Sequence, residues 1–164
     1  MIYIAIGSNL KSKFGNRYFN IKKSISLLQK QKVLFNELSN FYETPSYPNK
    51  NYPKFLNVVA RVNFKGNPYE LLDIIIKIEK FMGRIRSVKN GPRTCDIDII
   101  DFNKKKIITK NLILPHPRLT RRNFVLFPLK EIEPNWTHPL NNRKIDFLIE
   151  KMNFILRNEI TKKI

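Results

Sequence analysis

An α+β fold with a β-α-β-β-α-β core and a mostly antiparallel sheet is predicted for this 164-residue chain by three observations. Phe55 to Phe64 alternates apolar and polar residues over the length of a long strand. One other stretch places apolar residues at helical spacing, and another is bracketed by helix start and stop signals. Strand-like runs flank those stretches in the order that puts one helix after the first strand and another after the third. Tyr3 to Ile6 alternates weakly before the turn signal Gly7-Ser8-Asn9, which makes the first strand. Phe19 to Leu28 carries Ile21, Ile25 and Leu28 on one helix face. Leu34 to Tyr42 reads as strand two, stopped by Thr44-Pro45, and a loop rich in Pro, Asn and Tyr runs on to Pro53. In strand three, Leu56, Val58, Ala60 and Val62 alternate with Asn57, Arg61 and Asn63. Asn67 is the expected N-cap of the second helix, with Pro68 at its first position and Gly83 as its stop. The fourth strand contains Asp96 to Asp101.

This is the order of a ferredoxin-like split β-α-β unit, in which two helices cover one face of the sheet. Further strands and a helix are expected on the C-terminal side. They are a short strand at Lys106 to Ile108, a proline-marked loop around His116, an apolar stretch from Phe124 to Leu129 and a helix from Ile145 to Leu156. That last third must pack on the core unit. One compact domain over residues 1–164 is expected, because the length and the 42% hydrophobic content suffice for one substantial core and the chain is too short for two ordinary domains.

No run approaches the roughly 20 apolar residues of a membrane span, and Met-Ile-Tyr-Ile-Ala-Ile-Gly has neither a basic n-region nor a cleavage site. A cytoplasmic protein without a membrane partner is expected. A single cysteine, Cys95, excludes a disulfide framework and a multi-cysteine metal site. The formal charge of +18 invites a polyanion, but the lysines are scattered, and the longest basic run is Lys104 to Lys106. Joint enrichment in Lys, Asn and Ile reads as compositional drift, so nucleic acid is not the expected partner.

Chemistry concentrates in Gly91-Pro92-Arg93-Thr94-Cys95-Asp96-Ile97-Asp98. Asp96 and Asp98 stand at i, i+2 on a strand, hence on one face, with Cα atoms roughly 6.5 Å apart. At an effective dielectric near 20, two bare carboxylates at that distance repel by about 2.5 kcal/mol, so cations should lie between them. Mg²⁺ suits two carboxylates, and the arginines beside them suit a polyphosphate. Arg84, Arg86 and Arg93 crowd just ahead of the pair; their alternative is ion pairing with acidic neighbours such as Glu79. His116, held between Pro115 and Pro117 and followed by Arg118, Arg121 and Arg122, fits a phosphate contact. His138 reads as an ordinary loop residue, and no Gly-Lys-Ser/Thr phosphate loop exists. Phe55 and Asn57 share a strand face and could offer a ring and an amide to a planar heterocycle. From spacing alone, a core Phe and a solvent-facing Asn is the simpler reading.

Taken together, Tyr3 to Leu10, Phe41-Tyr42-x-Thr44-Pro45, Phe55-Leu56-Asn57, Gly83-Arg84-x-Arg86, Gly91 to Asp98 and Pro115-His116-Pro117-Arg118 resemble the 6-hydroxymethyl-7,8-dihydropterin pyrophosphokinase family of folate biosynthesis. The resemblance implies transfer of pyrophosphate from ATP to the pterin's hydroxymethyl group, with release of AMP. It implies two Mg²⁺ ions on Asp96 and Asp98, and phosphate gripping by Arg84 and Arg93. Further ATP contacts would come from Glu79, Arg86, Ile99, His116 and Arg122. On the pterin side it implies Thr44, Pro45 and Tyr47 at the ring edge, Phe55 and Phe124 as an aromatic sandwich and Asn57 as the hydrogen-bonding amide, which reverses the simpler reading of Phe55 and Asn57. Asn90 stands where better-known bacterial members have a tryptophan, and Ile76 where some have a polar adenine contact. A monomer acting on these small molecules is expected. Two rivals remain: a kinase of another small alcohol, and an RNA-binding module of the same strand and helix order. The second needs an aromatic signature on strand three, which Lys54-Phe55-Leu56-Asn57-Val58-Val59 does not supply.

Overall fold

Two asparagines set the starts of the core helices. Asn16 accepts hydrogen bonds from the backbone N–H groups of Tyr18 (3.0 Å) and Phe19 (3.2 Å) and opens α1, Arg17–Lys30. Asn67 forms a reciprocal capping box with Glu70 at the start of α2, Pro68–Phe81, and Gly83 follows that helix at φ +84°. The computed structural model describes residues 1–85 and 91–163. Its strands are β1 (Ile2–Ser8), β2 (Leu34–Leu38), β3 (Phe41–Thr44), β4 (Phe55–Asn63) and β5 (Asp96–Phe102). A small hairpin of β6 (Ile107–Ile108) and β7 (Ile113–Leu114) precedes a 3-10 turn at Leu119–Arg121. Beyond it come α3 (Asn123–Ile132), α4 (Ile145–Glu150), α5 (Phe154–Asn158) and β8 (Thr161–Lys163).

The main sheet runs β5-β1-β4-β3-β8, with β2 also on β4, and every pair in it is antiparallel. This is the predicted α+β, ferredoxin-like core with C-terminal additions. Ile2, Ile4, Ile6, Leu56, Val58, Ala60 and Val62 pack toward Ile21 and Leu28 of α1 and Leu71, Ile75 and Ile78 of α2. Tyr3, Ala5, Val59 and Ile100 pack on the other face against Val125, Leu126 and Leu129 of α3 and Ile145, Leu148 and Ile149 of α4. The C-terminal third therefore supplies a second core. Burial on both faces explains why β1 alternated so weakly in sequence: all seven of its residues are buried.

Two elements differ from their expected form. The strand predicted from Leu34 to Tyr42 is split, because Ser39 takes over the ladder. Its N–H donates to the Val59 carbonyl (2.9 Å) and its hydroxyl accepts from the Val59 N–H (3.0 Å). Leu38 pairs with Ala60 but Tyr42 with Asn57, so four residues are spent against three across the break. The helix predicted from Ile145 to Leu156 is also split. Asn153 caps a new start by accepting from Ile155 N–H (2.9 Å), and the final strand β8 had no alternating signal in its Thr-Lys-Lys sequence.

A register shift between β1 and β5 bears on the site. Tyr3 faces Asp101 and Ile4 faces Ile99, which leaves Ile100 bulged. Its carbonyl accepts the His116 N–H at 2.9 Å and docks the Pro115–Pro117 loop. The bulge also returns Asp101 to the face of Ile100, where it accepts from Trp136 Nε1 (3.1 Å). No helix among the described residues is long and apolar enough to cross a membrane.

Cys95 is buried in the core shared with α1 and α2, 3.2 Å from Ser24 Oγ, and burial pushes its thiol up to about 12. The native protein should resist a thiol reagent at about pH 8 and release one thiol per chain in denaturant. Rapid labelling of the folded protein would contradict this packing.

Candidate active site

The face of the sheet that α3 covers is left open at the end where β1, β4 and β5 meet their loops. Register places Gly7 opposite both Asn57 and Asp96, and Thr44 opposite Phe55. These residues share the face of Ala5 and Val59, so Phe55, Asn57, Thr44, Asp96 and Asp98 converge on one floor. Gly7 is required there: a Cβ at this position would come within 2.7 Å of Asn57 Oδ1. Asn57 Nδ2 donates to Thr44 Oγ1 (3.3 Å), which orients the amide.

Cations do surround the carboxylates. Arg84 Nη1 lies 2.6 Å from Asp96 Oδ1 and Arg93 Nη1 3.6 Å from the same oxygen. Arg122 Nη1 lies 2.5 Å from Asp98 Oδ2, and His116 Nε2 3.9 Å from it. The two acids are driven in opposite directions. Burial, then the neighbouring Asp98 charge, raise the Asp96 carboxyl against the pull of Arg93 and Arg84. Burial also works to raise Asp98, but the charge and hydrogen bond of Arg122 outweigh it and hold that carboxyl below the usual range. Arg84 pairs as well with the buried Glu79, so the ion-pair alternative for this arginine and its place beside the aspartates hold together. Glu79 Oε1 accepts the Ile97 N–H (2.9 Å), which ties α2 to the acidic strand.

Two further details point to an anion. Arg93 Nε is buried and has no hydrogen-bond partner among the described residues, a cost that an incoming oxygen would remove. His116 is pulled down to about 4, first by burial, so its imidazole is neutral near pH 7. Its Nδ1 accepts the Arg118 N–H (3.1 Å), which leaves the single ring proton on Nε2, aimed at Asp98 and the cleft. Beside these groups lies a cleft of about 250 Å³ lined by Leu72, Asp98, Ile99, Lys110, Leu112 and His116. Leu72 and the β6–β7 residues carry no local motif, and only the fold reveals them. A hollow of about 340 Å³ at the other end of the sheet lies by Arg61, which is already paired with Glu37 and Glu133, so size alone does not mark the site.

Most of the residues expected on the pterin side are brought together. Arg93 lies over the Phe55 ring (5.4 Å) and Arg122 over the Phe124 ring (5.3 Å). Thr44 is buried beside Asn57, Pro45 follows it at the end of β3, and Tyr47 projects into solvent at 75% exposure. Arg86 and Asn90 lie outside the described residues.

The model of the 7,8-dihydro-6-hydroxymethylpterin-pyrophosphokinase (HPPK) family matches residues 3–134. The chain belongs to the HPPK family. It is 42% identical over 131 residues to the 2-amino-4-hydroxy-6-hydroxymethyldihydropteridine pyrophosphokinase of Bacillus subtilis, covering 79% of this chain and 76% of that protein. Over 144 residues it is 38% identical to the Aquifex aeolicus protein of the same name, covering 88% of this chain and 87% of the other. The fold is shared with Plasmodium falciparum HPPK-DHPS at a TM-score of 0.71 and 17% identity, over 98% of this chain and 46% of that longer one.

A residue of the HPPK pattern to which the sequence reading gave no role, Asn9, joins the two halves of the site. Its Nδ2 donates to Ser46 Oγ (3.2 Å) and the Pro53 carbonyl (3.0 Å), and its Oδ1 accepts the Arg93 N–H (2.7 Å). The N–H groups of Asn9 and Leu10 donate in turn to the Arg93 carbonyl (3.1 and 3.2 Å). Asn9→Ala strands buried partners on two loops at once, and it should cost about 2 kcal/mol of stability in a denaturant titration. An unchanged midpoint would show that the loops are held otherwise.

Proposed function

We propose that this protein transfers the pyrophosphate of MgATP to the hydroxymethyl oxygen of 6-hydroxymethyl-7,8-dihydropterin, giving AMP and the pterin diphosphate. Family membership supports the reaction, and one local observation carries it: a carboxylate pair on one strand face, ringed by Arg84, Arg93, Arg122 and a neutral His116. The same reading has the enzyme work as a cytoplasmic monomer.

The donor set fits two Mg²⁺ ions. Asp96 and Asp98 offer hard oxygen ligands, and among the described residues there is no group of three or more His, Cys, Asp or Glu that could hold a metal. Phosphate oxygens and water would complete the coordination, as is usual for Mg²⁺ with nucleotides. When bound, the ions would neutralise phosphate charge and make the acceptor hydroxyl more acidic. Arg84, Arg93 and Arg122 each lie beside an aspartate. On substrate binding Arg84 and Arg93 turn from the carboxylates to the phosphates, and the orphaned Arg93 Nε gains its acceptor. Arg122 and the Nε2–H of His116 add donors on the Asp98 side, and Arg86 is assigned to the phosphates by the family pattern. Glu79 and the backbone at Ile99, which lines the cleft, hold the nucleoside end. Across the floor, Asn57 reads the heterocycle edge, Thr44, Pro45 and Tyr47 form the wall, and Phe55 and Phe124 give up their guanidinium covers to stack on the ring. No general base is assigned, because phosphoryl transfer depends chiefly on alignment and charge neutralisation.

Incubation with MgATP and the pterin should accumulate AMP in step with pterin diphosphate; ADP as the nucleotide product would refute the assignment. Asp96→Asn should cut turnover by at least about a hundredfold. The same substitution removes one of two crowded charges and should leave the melting transition of the free protein cooperative. A variant with full turnover would exclude Asp96 as a metal ligand.

A further inference from the structure

The family match ends at residue 134, yet the chain returns to the site after that point. We propose that the terminal segment from Asn153 to Lys163 is a brace that positions the acceptor half of the site. This rests on the pterin assignment made above.

Four attachments carry it. β8 extends the sheet beyond β3, pairing Lys163 with Phe41, Lys162 with Tyr42 and Thr161 with Glu43. β3 is the strand that ends in Thr44 and feeds the Pro45–Pro53 loop, so its outer edge would otherwise present unpaired backbone groups. Lys163 Nζ reaches Glu43 Oε1 (3.4 Å), the carboxylate that also holds Arg17 (2.8 Å), while Lys162 Nζ reaches Glu131 Oε2 (3.4 Å) on α3. Glu159, just before β8, pairs with Lys50 in the middle of the Pro45–Pro53 loop itself. On the opposite side, the Leu156 carbonyl accepts from Asn123 Nδ2 (2.5 Å). Asn123 opens α3, and its Oδ1 in turn accepts the N–H of Phe124 (2.7 Å), the second stacking ring.

One short segment thus grips the wall carrying Thr44 and Lys50 and, separately, the residue that seats Phe124. None of these contacts is made to Arg84, Arg93 or the strand of Asp96 and Asp98, and the one at Asn123 is next to Arg122. A general prop would stabilise both substrates' sites alike; most attachments of this one are on the pterin side. Exposed ion pairs and one short edge strand are each weak, so the effect comes from their combination and is modest.

The test uses the full chain, a chain ending at Asn158, and full-length Glu159→Lys, which sets two lysines against each other without shortening the protein. KM for each substrate and kcat would be measured, together with equilibrium binding of the pterin in the presence of a nonhydrolysable ATP analogue and Mg²⁺. Expected are a rise of about tenfold in KM for the pterin on truncation and about threefold in Glu159→Lys, with KM for ATP changed by less than about twofold. Equal rises for both substrates would mean general destabilisation and would overturn the brace, as would an unchanged pterin KM in both variants. A full chain that makes no AMP would refute the proposed reaction instead; the brace would then be judged from the pterin binding curves alone. Truncation that abolishes folding leaves Glu159→Lys as the deciding variant.

Discussion

Two half-buried carboxylates on one strand face are tolerable only if positive charge is brought to them. Much of the local architecture follows from that constraint. The arginines come from three separate elements: Arg84 after α2, Arg93 before β5 and Arg122 at the start of α3. Each must be delivered within a few ångströms of a fixed point, so the order of helices around the sheet is bound to the chemistry at its end. The acids remain unequal, one pushed up and the other held down, because Arg122 faces Asp98 directly while Asp96 bears more of the mutual repulsion.

The sheet provides the rigid frame for this. One face is sealed by α1 and α2 and the other by α3 and α4, so β1 lies between two apolar layers and has little freedom to shift. Among the described residues, the end of the second face is uncovered. Phe55 and Asn57 on β4 and the aspartates on β5 face that opening together, separated by the bare backbone of Gly7 on β1. Asn9, one turn further along the chain, then locks the loops that lead to both.

Much of this was legible in the residues. Asn67-Pro68 and Gly83 marked α2, because capping and turn chemistry are local. Asp96 and Asp98 could be put on one face because strand alternation is local too. Phe55 and Asn57 were not decidable by spacing, since a core ring and a site ring alternate identically; the motif resemblance settled the expectation and the register to Gly7 supplies the geometry. The break at Ser39 is not legible in the sequence because a hydroxyl that replaces a ladder bond leaves no mark in a hydrophobic pattern. The break at Asn153 has one local sign, a capping residue inside an apolar run. β8 and Leu72 were invisible, since three exposed residues on a sheet edge and one leucine facing a cleft depend wholly on what the distant chain places beside them.

The bulge at Ile100 lets one short strand obey two masters. Upstream of it, even-numbered positions look toward solvent-filled chemistry; downstream, parity is reversed and Asp101 turns to Trp136 while Phe102 enters the opposite core. Without that single extra residue, a sequence suited to the reactive end would present a carboxylate to the apolar layer under α2. The kink works as a phase shifter, so that the carboxylate-bearing half and the packing half of the strand each keep their own facing.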